Sequence, residues 1–178
     1  MSLTLLGQAI GIVAMAFNIL SYQNKNQKTV IAFQFFGSAL FALSFLMLGA
    51  IIGGILNFIG IIRALVFMNK EKLHADKPIW LWGFIAAYLV TYVLTFTVFG
   101  QEVTPWKLLI EALPVIGMTA LTIGFRMTDA KAVRCMGLIS SPSWLIYNFA
   151  SGSIGAIACE VITLASILIG MLRHDRKK

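Results

Sequence analysis

Apolar residues run along this chain in seven long blocks: Leu3–Tyr22, Thr29–Leu48, Ala50–Asn69, Ile79–Phe99, Trp106–Phe125, Ala132–Ser151 and Ser153–Leu172. Each is close to the roughly 20 helical residues that cross a bilayer's hydrocarbon core. Helix is the expected form, because lipid offers no partner to a bare backbone amide. The breaks are polar or glycine-bearing: Gln23–Lys28, Leu48–Gly49, Asn69–Pro78, Gly100–Pro105, Arg126–Lys131 and Ser151–Ser153. Only Gly49 and Gly152 mark the turns after the second and sixth blocks, so the boundaries are soft there.

The basic residues turn this pattern into a topology. Seven crossings place Lys25, Lys28, Arg63, Lys70, Lys72, Lys77, Arg126, Lys131, Arg134, Arg173, Arg176, Lys177 and Lys178 on one side, and leave Lys107 alone on the other. By the bias of Lys and Arg toward the cytoplasm, the N-terminus is expected outside and the C-terminus inside. An even number of crossings destroys the asymmetry. The first block lacks a basic leader and a small-residue cleavage site, so it is expected to be a retained helix rather than a signal peptide.

Composition agrees. The 178 residues are 59% hydrophobic and 12% charged, with mean hydropathy +0.88. The net charge of +7 is scattered at block ends, the footprint of membrane orientation and not of a nucleic-acid groove. Cys135 and Cys159 both fall in apolar runs and read as small core hydrophobes, without disulfide or metal-ligand spacing. No cofactor or metal is expected.

The chain also repeats. A shift of 103 residues lays Leu5–Phe67 on Leu108–Gly170 without a gap. Identities fall at Leu5/Leu108, Leu6/Leu109, Ala9/Ala112, Met15/Met118, Lys28/Lys131, Val30/Val133, Ser38/Ser141, Gly49/Gly152, Ile51/Ile154, Ile59/Ile162 and Leu65/Leu168. The basic break, the glycine turn and the helix ends coincide as well. Three helices invert direction and a fourth restores it, so the copies are expected to be parallel repeats about an axis along the membrane normal. The expected fold is all-α and integral to the membrane. It divides into a first three-helix bundle (1–69), a loop and linking helix (70–105), a second bundle (106–172) and a basic tail (173–178).

A 3+1+3 plan of this kind resembles the SWEET sugar facilitators and the PnuC vitamin transporters. The stretch Glu111-Ala-Leu-Pro-Val-Ile-Gly117, with Tyr147-Asn148-Phe149, Ser151-Gly-Ser-Ile-Gly155 and Glu160, more closely resembles the bacterial inner-membrane YgjV-like family. That likeness spans most of the chain and is densest in its second half. It implies a multi-pass bacterial inner-membrane location and a fold more than a substrate.

Polar groups inside the blocks are the candidate chemistry. A charged residue at mid-membrane costs about 2.5–3.5 kcal/mol on insertion scales. Glu160 lies eight positions into the last block, and its repeat partner is Asn57. The two belong at equal depth across the pseudo-axis, where parallel-repeat carriers hold their solute; alternatively each hydrogen-bonds a neighbouring helix. Trp144, paired with Phe41, sits away from the interfacial belt expected to hold Trp80, Trp82 and Trp106. Its alternative is lipid contact or core packing. Phe41 and Asn57 are spaced as Trp144 and Glu160 are. SWEET-like carriers place an aromatic and an asparagine at that separation, so the resemblance implies that these four wall a solute site, aromatic faces stacking a ring and polar groups orienting it. Glu160 in place of a second asparagine departs from that pattern, and opens proton coupling or a cationic solute. Asn148 joins the candidate lining, with Asn18, Gln34 and Tyr147.

Gln8 and Glu111, also repeat partners, form an outer gate or cap their helices. Gly11 and Pro114 are the candidate hinges. Gly7/Gly11 and Gly49/Gly53 have the spacing of close helix packing, and Arg63 is expected to snorkel to the interface.

The leading reading is a facilitative or proton-coupled transporter of a small polar or aromatic solute, sugar- or vitamin-like, working by alternating access. The runner-up is a non-transporting sensor or assembly partner with a carrier-like fold. An enzyme is not expected: there is no phosphate-binding loop, and both histidines, His74 and His174, fall in polar segments. Expected partners are the solute and membrane lipid, with no nucleic acid; a homo-oligomer stays open.

Overall fold

In a computed structural model the described residues are 3–48, 51–150 and 154–175. They form α1 (Leu3–Ser21), α2 (Gln27–Met47), α3 (Ile51–Met68), α4 (Lys70–Leu73), α5 (Pro78–Thr97), α6 (Pro105–Arg126), α7 (Ala130–Ala150) and α8 (Ile154–His174). The seven apolar blocks thus become α1–α3 and α5–α8, with ends shifted by no more than two residues. Gly49 and Gly152, expected at the tight turns, lie outside the described residues, as do Ser151, Ser153 and the tail from 176.

The helix starts follow from local chemistry. The Asn26 side chain accepts from Lys28 N and Thr29 N at 2.8 and 3.4 Å, satisfying two amides that α2 leaves free. Asp129 does the same for Ala132 N at 2.6 Å ahead of α7. Pro78 and Pro105 occupy the first turns of α5 and α6, where the missing N–H costs nothing. The stretch Asn69–Pro78, expected as a plain break, contains the single turn α4, closed by His74 in the left-handed region at φ 47°. That turn is too short to leave a periodic signal.

Five helices, α1, α2, α5, α6 and α8, are long and apolar enough to cross a membrane by length and composition. Side-chain placement agrees with a lipid surround. Ile79 and Phe149 are 73% and 76% exposed, whereas Arg134, Tyr88, Thr122 and Ser21 are buried, the reverse of a water-soluble domain. The protein is an all-helical integral membrane protein.

Each helix packs on its chain neighbour within α1–α3 and within α6–α8, and α5 lies against α6 and α3. Across the middle, α1 meets α8, α3 meets α6 and α2 meets α7. Exchanging the two triplets by the 103-residue shift turns this set of contacts into itself. The shift also relates two particular contacts. Phe67 meets Phe125 edge-on with ring centroids 6.2 Å apart, and their partners Gly170 and Tyr22 also touch. A Cβ at Gly170 would fall on the Tyr22 carbonyl, which is backbone and cannot swing aside. Gly170→Ala is therefore expected to cost about 1–3 kcal/mol as an overpacked contact. A fall in the thermal unfolding midpoint in detergent checks this.

Candidate functional site

Between the two triplets lies a cavity of about 120 Å³. From the first triplet Asn18 and Tyr22 reach it from the end of α1, Gln34, Ser38, Phe41 and Phe45 from α2, and Asn57 and Arg63 from α3. The second triplet adds Met118 and Leu121 of α6, Ser140, Ser141, Trp144 and Asn148 of α7, and Ala156, Cys159, Glu160 and Thr163 of α8. So Phe41, Asn57, Trp144, Asn148 and Glu160, picked out as separate residues in sequence, all line one space. Asn18 and Gln34 join them; Tyr147 does not line it, packing edge-on to Trp144 with centroids 5.9 Å apart.

Each wall has a local cause. Trp144 lies on α6 because residue 117 is glycine: a Cβ there would sit 3.1 Å from the indole Cδ1 and Nε1. The Ser141 hydroxyl donates to the Glu160 carboxylate, tying α7 to α8. Asn57 turns its amide back on its own helix, donating to Gly53 O at 2.9 Å, and so does not bridge to a neighbour. The run Ser140-Ser141-Pro142-Ser143 makes α7 polar in its middle, and all three serines are buried inward.

Arg63 corrects the sequence reading. It does not snorkel: it is 2% exposed, its Cζ stands 4.8 Å from the centroid of the Phe125 ring, and Nη1 donates to Met118 O at 3.2 Å. An arginine one turn from a helix end is ordinarily drawn to water. Here Phe125 and Met118 of α6 cover it.

The residues expected to gate lie elsewhere. Gln8 is exposed and Glu111 and Pro114 are buried, none on the cavity, and a Cβ at Gly11 would meet Ser44 Oγ of α2 at 3.0 Å. Proline 114 sits within a continuous α6.

Polar bonds between the triplets gather at the end where α1 and α6 terminate. Gln27 Nε2 donates to Met127 O at 2.6 Å, and the Lys70 ammonium donates to the carbonyls of Arg126 and Met127. Arg134 Nη1 donates to Asn24 O at 2.8 Å, while its Nε donates to Asp175 Oδ2 at 2.8 Å. His174 Nε2 bonds Gln23 O at 2.8 Å, Arg173 donates to Gln23 Oε1 at 3.2 Å, and Ser166 Oγ donates to Ile19 O at 2.6 Å. Carbonyls at and just beyond the C-termini of α1 and α6 thus accept from donors across the interface, where cations suit the helix dipole. Among the described residues no hydrogen bond joins the triplets on the other side of the cavity. Sequence reasoning missed this latch, together with Tyr22, Ser140 and Thr163; the serine run and the basic breaks were its only signals.

A family described as bacterial inner membrane protein, Imp-YgjV, matches residues 5–178. The chain is also similar to the inner membrane protein YgjV of Escherichia coli (strain K12), 25% identical over 155 residues, which is 87% of this chain and 76% of that protein. No solved structure matches. An all-helical membrane fold and a match over nearly its whole length place this chain in the YgjV family of bacterial inner membrane proteins.

Proposed function

We propose that the protein is a carrier of seven crossings in a 3+1+3 plan, N-terminus outside and C-terminus cytoplasmic, without enzymatic activity. It moves a small polar or aromatic solute by alternating access, driven by the solute gradient or by protons. The observation that carries this reading is the cavity itself: Phe41 and Asn57 of one triplet face the same space as Trp144 and Glu160 of the other. The self-mapping contacts of the triplets support the parallel repeat, and the likeness to SWEET and PnuC carriers rests on that plan. The basic latch belongs at the cytoplasmic face, so the conformation described is closed inside. Gln8 and Glu111 form the outer gate, and Gly11 and Pro114 are its hinges.

Reconstitution into proteoliposomes tests this. Some member of a panel of sugars, nucleosides, vitamins, amines and amino acids enters faster than into protein-free vesicles, and Trp144→Ala slows it about 10-fold, in line with about 1–3 kcal/mol per stacked ring. Uptake no faster than protein-free leakage across the panel leaves the sensor or assembly reading in its place.

The native cysteines test the closed-inside conformation. Cys159 lines the cavity, whereas Cys135 does not. A small methanethiosulfonate added outside is expected to label the protein in intact vesicles, and Cys159→Ser to remove most of that label. Persistence of the label in Cys159→Ser contradicts the assignment.

A further inference from the structure

We propose that the solute is a small zwitterion, its carboxylate drawn to Arg63 and its ammonium to Glu160 and Trp144; this rests on the carrier reading above. The cavity is lined by two opposite charges, Arg63 from α3 and Glu160 from α8. They do not neutralise each other: among the described residues the ion pairs within 4.0 Å are Lys28–Glu71 and Arg134–Asp175. Among the described residues the polar and ring contacts of Arg63 are all neutral: Met118 O at 3.2 Å, Met118 Sδ at 3.7 Å, Tyr88 Oη at 3.5 Å and the Phe125 ring. Its Nε is buried without a hydrogen-bond partner among the described residues. Among the described residues Glu160 accepts one hydrogen bond, from the Ser141 hydroxyl.

A buried charge with only neutral partners is costly, and the usual remedy is an opposite charge in contact. A cation alone leaves Arg63 uncompensated, and an anion alone leaves Glu160 to take up a proton or stay uncompensated. A molecule carrying both charges answers both. The walls divide accordingly. A carboxylate beside an aromatic face is a cation site, which Glu160 and Trp144 supply. A planar guanidinium is suited to a carboxylate, which Arg63 supplies. Arg63 lies six residues beyond Asn57, about 9 Å along α3 and toward the latch. The solute therefore lies lengthwise, carboxylate inward. Size narrows the class further. A cavity near 120 Å³ is slightly smaller than the ~150 Å³ that accepts benzene. That suits a molecule of few heavy atoms.

The test is a binding panel on the purified full chain in detergent, read by Trp fluorescence and by thermal midpoint. Glycine, β-alanine, L-alanine and L-serine are compared with propionate, ethylammonium and neutral propionamide at matched ionic strength. At least one zwitterion is expected to bind 10-fold or more tighter than either singly charged probe. Arg63→Gln is expected to bring zwitterion affinity down to that of ethylammonium, and Glu160→Gln down to that of propionate. Should Arg63→Gln fail to fold, the wild-type panel and Glu160→Gln still decide. Propionamide or a singly charged probe binding as tightly as every zwitterion overturns the proposal. Uptake of a sugar or vitamin without zwitterion binding overturns the solute class alone; no binding and no uptake of anything overturns the carrier reading with it.

Discussion

Glu160→Gln is expected to reduce solute uptake about 30-fold while leaving the thermal midpoint within a degree or two. The substitution keeps the shape, and its amide oxygen can still accept from the Ser141 hydroxyl, so the tie between α7 and α8 survives. What is lost is the charge. A hydrogen bond or contact to a charged group contributes about 1.5–3 kcal/mol, and about 2 kcal/mol corresponds to the 30-fold change. Asn57→Ala is expected to do less, because its amide already donates to Gly53 O within its own helix. If Glu160 serves proton coupling, the Gln variant also loses any stimulation of uptake by an inward proton gradient. Initial rates in proteoliposomes with and without that gradient measure both effects. Unchanged uptake at every pH removes Glu160 from the mechanism.

The second large effect is expected at the latch. Arg134→Ala leaves Asp175 without its cation and the half-buried Asn24 carbonyl without its donor, and the side chains of the ion pair are themselves buried. Breaking one side of a buried pair typically costs about 3–5 kcal/mol. Against a total stability on the order of 5–15 kcal/mol, that is enough to lose most folded protein. A collapse of the monodisperse yield in detergent is the predicted result. The double variant Arg134→Met/Asp175→Leu is expected to recover much of it, since an apolar pair of similar volume removes the stranded charge. Full recovery is not expected, because the Asn24 carbonyl still lacks its donor. An Arg134→Ala protein as stable as wild type contradicts this account of the latch.

The helices were legible because a membrane imposes a strong rule: about 20 apolar residues in a row, closed by polar or glycine breaks. Pro78 and Pro105 close two of those breaks in sequence and open α5 and α6 in the structure. The cavity was legible by a different route. Phe41, Asn57, Trp144 and Glu160 stand out because polar and aromatic groups at matching repeat positions have to face something other than lipid. Arg63 was misjudged, and no contact was read for Arg134, for one reason. Each sits near a helix end, where sequence alone gives a basic side chain an easy way to water. Whether it takes that way depends on what distant segments pack over it, Phe125 and Met118 over Arg63, Asp175 and the loop after α1 around Arg134. Contacts between residues 41 to 110 positions apart leave no local pattern. α4 escaped notice because one turn is shorter than any period.

Alternating access requires the latch to open, and that can be tested with one bond. Gln27 Nε2 reaches Met127 O at 2.6 Å across the two triplets. Gln27→Cys with Met127→Cys, in a chain whose Cys135 and Cys159 are replaced by Ser, can be bridged by a short bifunctional methanethiosulfonate, which spans the gap left by the shortened side chain and gives a cross-link that a reductant reverses. Uptake by proteoliposomes of the solute that the panel selects is the measurement. The cross-link is expected to abolish uptake while outside binding persists, and a reductant is expected to restore it. Uptake at the reduced rate with the cross-link complete would contradict the account.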